Sequence, residues 1–120
     1  MLAMINAARE RHDLGVLRLD ASLSRDATGH TRTMLRQDRI FDPPNLEEIL
    51  SRYPYEDMGA AAVGCDATLR RLFRALMRSH VHRSILLDGR LRWVGIGVRQ
   101  ADGANRCGRG SYWATDLFYG

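Results

Sequence analysis

The chain has 120 residues, 45% of them hydrophobic and 27% charged, with two cysteines and a formal net charge of +4. That length supports one domain with a core of its own, and no apolar run approaches the ~20 residues that a membrane-spanning helix needs. All 18 basic residues are arginine, as codon usage in a GC-rich genome would produce; they form no compact basic run with interleaved aromatics, so the charge implies weak attraction to anionic surfaces and no specific nucleic-acid binding.

Leu2, Ile5 and Ala8, then His12, recur at helical spacing, and Gly15 is a stop signal. Met1 opens straight into this amphipathic pattern, with Arg9, Glu10 and Arg11, and not into a signal-peptide core, which leaves location open. Asp20 reads as the N-cap of a second helix whose inner face is Leu23, Ala27, His30 or Thr31, and Met34. Asp42-Pro43-Pro44-Asn45 breaks the chain, and Asn45 caps a short helix holding Leu46, Ile49 and Leu50, with Glu47 and Glu48 in its first turn.

Residues 57–64 are ambiguous, since alanine favours helix while the bracketing glycines and short length favour a buried strand. A sheet needs about three strands to be stable, which supports the strand. Asp66 or Thr68 starts the clearest helix, with an apolar stripe of Leu69, Leu72, Phe73, Leu76 and Met77 and with Arg70, Arg71, Arg74 and Arg78 facing away. Leu91–Arg99 and Tyr112–Tyr119 read as an antiparallel hairpin with a long tip, Gln100–Gly110. The order predicts an α+β fold over residues 1–120, with about four helices covering a small antiparallel sheet of about three strands.

Few residues carry chemistry. Cys65 and Cys107 are 42 positions apart with no C-x-x-C spacing. One disulfide or two unrelated thiols would account for them. Both flank loops beside Gly64 and Gly108 and neither lies on an apolar helical face, which favours the disulfide, worth ~3–4 kcal/mol. There is no G-x-S-x-G elbow, and Ser79 and Ser84 beside His82 do not make a triad. Gly95 and Gly97 inside a strand mark close helix–sheet packing. Gly108-Arg109-Gly110 reads as a turn. His12 suits a helix C-terminus, where its protonated form is modestly favoured, and His30 suits packing.

The run from Ser79 to Val98, SHVHRSILLDGRLRWVGIGV, resembles the S-P-G-H-R-x-x-I-L … V-G-V-G pattern of bacterial CAP-superfamily domains (cysteine-rich secretory proteins, antigen 5 and pathogenesis-related proteins). Leu2–Arg9 is similar to the family's L-x-x-I-N-x-x-R start, Leu17–Ala27 to its P-L-x-x-D-x-x-L-x-x-x-A step, His30 and Met34 to its A-x-x-H-S-x-x-M helix, and Tyr112-Trp113 … Asp116 to its Y-W-x-x-D strand. The resemblance implies an α-β-α sandwich and a cleft of two His and two Glu that binds a divalent cation such as zinc in several members. Carried over, the first histidine position is Asp42, the first glutamate is Ala60, the second falls at Arg70 and Arg71, and only His82 survives.

Zinc wants three or four converging ligands. Here they would be Asp42 and His82, joined by His80 only if the local backbone is extended, and an arginine on the preceding helix would repel the ion. The other reading of His82 is a packed ring bonded to a backbone carbonyl or to Asp42. Three functions follow. The first is a non-enzymatic, monomeric, secreted or cell-envelope domain that needs no cofactor and binds a lipid or sterol, or an envelope partner; an apolar groove beside the short helix at Tyr53 and Tyr55 would favour lipid. The second is a metal-dependent hydrolase with an Asp42/His82 site, and the third a structural or regulatory domain of a longer protein.

Overall fold

The hairpin forms the centre of the fold in a computed structural model that describes residues 1–120. In chain order the elements are α1 (Leu2–Arg11), β1 (Arg18–Leu19), α2 (Ala21–Gln37), α3 (Leu46–Leu50), β2 (Gly59–Asp66), α4 (Leu69–Arg78), α5 (His80–Leu86), β3 (Trp93–Gln100) and β4 (Tyr112–Tyr119). The sheet runs β1-β3-β4-β2. β4 pairs antiparallel with β3 from Trp93↔Tyr119 to Gln100↔Tyr112, and with β2 from Gly59↔Tyr119 to Asp66↔Tyr112. The ambiguous alanine run is therefore a strand, in register with the whole of β4.

The number of strands and the number of helices both differ from the sequence expectation. The sheet is mixed and has four strands, because Arg18 and Leu19 pair in parallel with Trp93 and Val94. Arg18 N donates to Arg92 O at 2.9 Å and Asp20 N to Val94 O at 2.8 Å. Two residues show no period, so this strand exists only through its partner. The helix count is five, because Ser79 adopts an extended conformation (φ −80°, ψ 122°) that separates α4 from α5.

Period-two alternation along β4 sorts the core into two layers. Ala114 and Phe118 join Ile5, Leu72, Leu76 and Leu86 from α1, α4 and α5 on one face of the sheet. Leu117 and Tyr119 meet Leu23, Ala27, Ile49 and Leu50 from α2 and α3 on the other, continued by Trp113 against Met34. Each fully buried Leu, Ile or Phe of this kind contributes about 1.5–3 kcal/mol of transfer free energy. A Cβ at Gly97 would collide with the Ala27 and Thr28 backbone, and one at Gly95 with Leu23, so these glycines let α2 lie directly on β3.

The capping predictions are met unevenly. Asp20 accepts from Leu23 N at 3.0 Å and Thr68 from Arg71 N at 3.1 Å. Asn45 stands at the N-cap of α3 but makes no side-chain capping bond. α1 ends at Arg11, before the expected stop at Gly15, and Asp13 takes a left-handed conformation (φ 58°) just beyond it.

Candidate functional site

His82 lies on α5 and is half-buried. Its Nδ1 is 3.0 Å from Ser79 Oγ, which is neither the backbone carbonyl nor the Asp42 expected from the sequence. The break at Ser79 explains the contact. Ser79 becomes the N-cap of α5, yet its hydroxyl bonds the ring one turn on instead of a backbone N–H. His80 is exposed at the start of the same helix, so the extended H-x-H geometry needed to aim both rings at one ion is absent.

The other carried-over positions do not gather around His82. Asp42 is exposed in the segment joining α2 to α3, the layer across the sheet from α5. Ala60 is 7% exposed, a methyl group inside the α1/α4/α5 core. Arg71 is exposed on the first turn of α4, with Nε 3.4 Å from Asp66 Oδ1. None of the five residues lines any of the five main hollows of the surface. No group of three or more His, Cys, Asp or Glu side chains is placed to hold a metal ion. The donor set therefore does not fit the divalent cation that the family resemblance implies.

The remaining histidines are tied to main-chain carbonyls. His30 Nε2 donates to Phe41 O at 2.6 Å, and its ring meets the Phe41 ring edge-on at 4.9 Å. His12 Nδ1 is 2.9 Å from Ala8 O, and its Nε2 is 3.2 Å from Arg83 Nη2. The hollow beside α3 has a volume of about 510 Å³ and a mostly polar wall that includes Arg25, Asp26, His30, Asn45 and Arg52. The apolar groove that would favour lipid is not what lies beside this helix. Tyr53 is half-buried, with its hydroxyl donating to Asp26 Oδ2 at 2.7 Å and its ring 5.4 Å from that of Tyr119, and Tyr55 is exposed.

Two charged residues that the sequence comparison quotes, but to which it gives no role, are buried. Arg9 is 1% exposed and Asp116 is 1% exposed. Asp116 pairs across the sheet with Ala62 and Ile96 and faces the α1/α4/α5 layer, and neither of its oxygens has a hydrogen-bond partner. Burial pushes its carboxyl up to about 7, while the Met1 ammonium acts in the opposite direction. Strand alternation could have found it, since Asp116 has the same parity as Ala114 and Phe118. Cys65, at the end of β2, is disulfide-bonded to Cys107 in the β3–β4 loop, with Cα atoms 6.1 Å apart.

The chain matches the model of the cysteine-rich secretory protein family (CAP) over residues 2–118. Its fold is similar to an extracellular SCP-domain protein from Bacillus anthracis str. Ames (TM-score 0.77, 18% identity, 99% of this chain and 39% of that one). It is also similar to an outer surface protein from Borrelia burgdorferi (TM-score 0.75, 14% identity, 99% of this chain and 90% of that one). A third similar structure is a cysteine-rich secretory protein from Staphylococcus aureus subsp. aureus Mu50 (TM-score 0.71, 22% identity, 97% of this chain and 36% of that one). The chain thus spans well under half of the Bacillus and Staphylococcus proteins. No curated protein matches. With its α-β-α layers and a family match that leaves out only the first and the last two residues, the chain belongs to the cysteine-rich secretory protein (CAP) family.

Proposed function

We propose that this CAP domain works outside the cell or in the cell envelope, by binding and not by catalysis. The observation that carries the reading is the dispersal of the donor set. His82 is held by Ser79, Ala60 offers a methyl group, Arg71 is a cation, and Asp42 belongs to the opposite layer. Metal-assisted hydrolysis needs a cation with an open position and a base within reach of the bound water, and these side chains supply neither. The extracellular and outer-surface character of similar structures, with the Cys65–Cys107 bond, supports the location. The polar wall of the hollow beside α3 favours a polar envelope partner over a sterol.

Titration calorimetry of chelator-stripped protein with zinc, beside His82→Ala, tests the reading. Neither protein is expected to bind zinc stoichiometrically. One-to-one binding that disappears in His82→Ala would overturn it and return the hydrolase to first place.

A further inference from the structure

Arg9 carries a charge into the interior without an anion to meet it. Four of its five N–H groups go to main-chain carbonyls: Nε to Gly15 O at 2.7 Å, Nη1 to Leu86 O at 2.9 Å and Asp88 O at 3.0 Å, and Nη2 to Leu91 O at 3.2 Å. The remaining N–H, on Nη2, has no partner. The nearby Asp88 carboxylate is committed to Arg90, with contacts of 3.1 and 2.8 Å. Burial pushes the Arg9 guanidinium below its ordinary pKa, and Asp88 offsets part of this.

Arg9 also lines a hollow of about 400 Å³ between the end of α1, β1 and the loop from α5 to β3. Arg18 and Arg92 stand in the same wall, and no acidic side chain does. Both are exposed, and neither forms an ion pair or a side-chain hydrogen bond. The Arg18 guanidinium lies 6.0 Å from the centre of the Trp93 ring, which stacks on Tyr119, so its head is held beside the hollow by an aromatic surface. Glu56 and Asp57 line a neighbouring hollow that shares Arg92 and Trp93 with this one. That arrangement directs the negative end of a ligand toward Arg9 and Arg18.

We propose that this hollow is a binding site for an organic oxyanion, a phosphate or carboxylate group held by Arg18 and Arg92 at the rim and Arg9 at the floor. Arginine suits such a group because its planar fork of donors matches the oxygens. The volume falls within the range of small-ligand sites. Val16 and Leu91 supply an apolar flank for the rest of the molecule. A soluble organic phosphate and a phospholipid headgroup present the same chemistry. The proposal does not depend on the zinc result, because none of its residues belongs to the His82 region.

The test is calorimetric titration of the full chain with phenyl phosphate, paralleled by tryptophan fluorescence, which Trp93 would report while Trp113 stays buried. One-to-one binding is expected, weakened about 100-fold in Arg18→Gln/Arg92→Gln at roughly tenfold per charge-assisted contact. The control Arg74→Gln/Arg78→Gln removes the same charge from the exposed face of α4 and should stay within about twofold, since only unspecific attraction depends on net charge alone. Flotation with phosphatidylglycerol vesicles against phosphatidylcholine separates the sources. Flotation that needs Arg18 and Arg92 assigns the headgroup, and phenyl phosphate binding without flotation assigns the soluble ligand. Equal weakening in the two double variants, or no saturable binding of either probe, overturns the proposal.

Discussion

Tyr119 donates its hydroxyl to Asp20 Oδ2 at 2.7 Å across 99 positions of sequence, while Oδ1 of the same carboxylate accepts from Leu23 N at 3.0 Å. One side chain thus caps α2 and anchors the end of β4. Burial, with the carboxylate as hydrogen-bond partner, raises the Tyr119 hydroxyl well above its ordinary pKa. Asp20→Ala is expected to cost about 2–4 kcal/mol, the sum of a lost cap and a lost charge-assisted bond. Tyr119→Phe should cost about 1–2 kcal/mol. Urea denaturation of the single and double variants should show less than the sum of the two losses; simple additivity would mean that the two contacts act independently.

Asp116 is expected to make the stability of the fold fall as pH rises. Its folded pKa, raised by burial to about 7 from 3.8, means that the native state holds a proton the unfolded chain has released. Its contribution is complete below about pH 4, declines by up to about 1.4 kcal/mol per pH unit between pH 4 and 7, and is lost above that. Asp116→Asn should flatten this dependence and melt above the parent at pH 8. Thermal melts at pH 5, 6.5 and 8 check it, and a flat parent profile would contradict the assignment.

Two glycines should respond in opposite directions to the same change. Gly97→Ala drives a methyl group into the Ala27–Thr28 backbone, and with no flexible atom to yield it should cost about 3 kcal/mol or prevent folding. Gly29→Ala meets nothing within 4 Å on an exposed position of α2 and should stabilise by about 1 kcal/mol. Chemical denaturation of both variants measures the contrast.

Reduction of the Cys65–Cys107 bond, or Cys65→Ala/Cys107→Ala, releases a 42-residue separation in the unfolded chain. The loss should be about 4 kcal/mol, which for a chain of this size lowers the melting temperature by roughly 15 °C. Melts with and without reductant give the value. A shift under about 3 °C would mean that the hairpin tip is held by its other contacts, such as Arg106 N to Asp38 Oδ1 at 2.9 Å.

The elements that repeat at short range were legible in the chain itself. Leu23, Ala27 and Met34 are spaced for a helix and are buried against the sheet, Asp20 announces its cap, Thr68 is the one of the two candidates Asp66 and Thr68 that caps α4, and the two hairpin strands stand out as strand-like runs either side of a Gly- and Asp-containing loop. Gly95 and Gly97 were readable as a close approach because glycine inside a strand weakens it unless a bulge, a bend or a neighbouring backbone needs the space, and here the α2 backbone fills it. What tertiary structure decided is whatever depends on a partner distant in sequence. β1 is a strand only beside β3, and Arg9, in a stretch that reads as charged surface, is buried because four carbonyls from three segments converge on it. The fate of the carried-over site belongs to the same class. Sequence names His82 and Asp42, but only the layer each element occupies determines whether their side chains can meet.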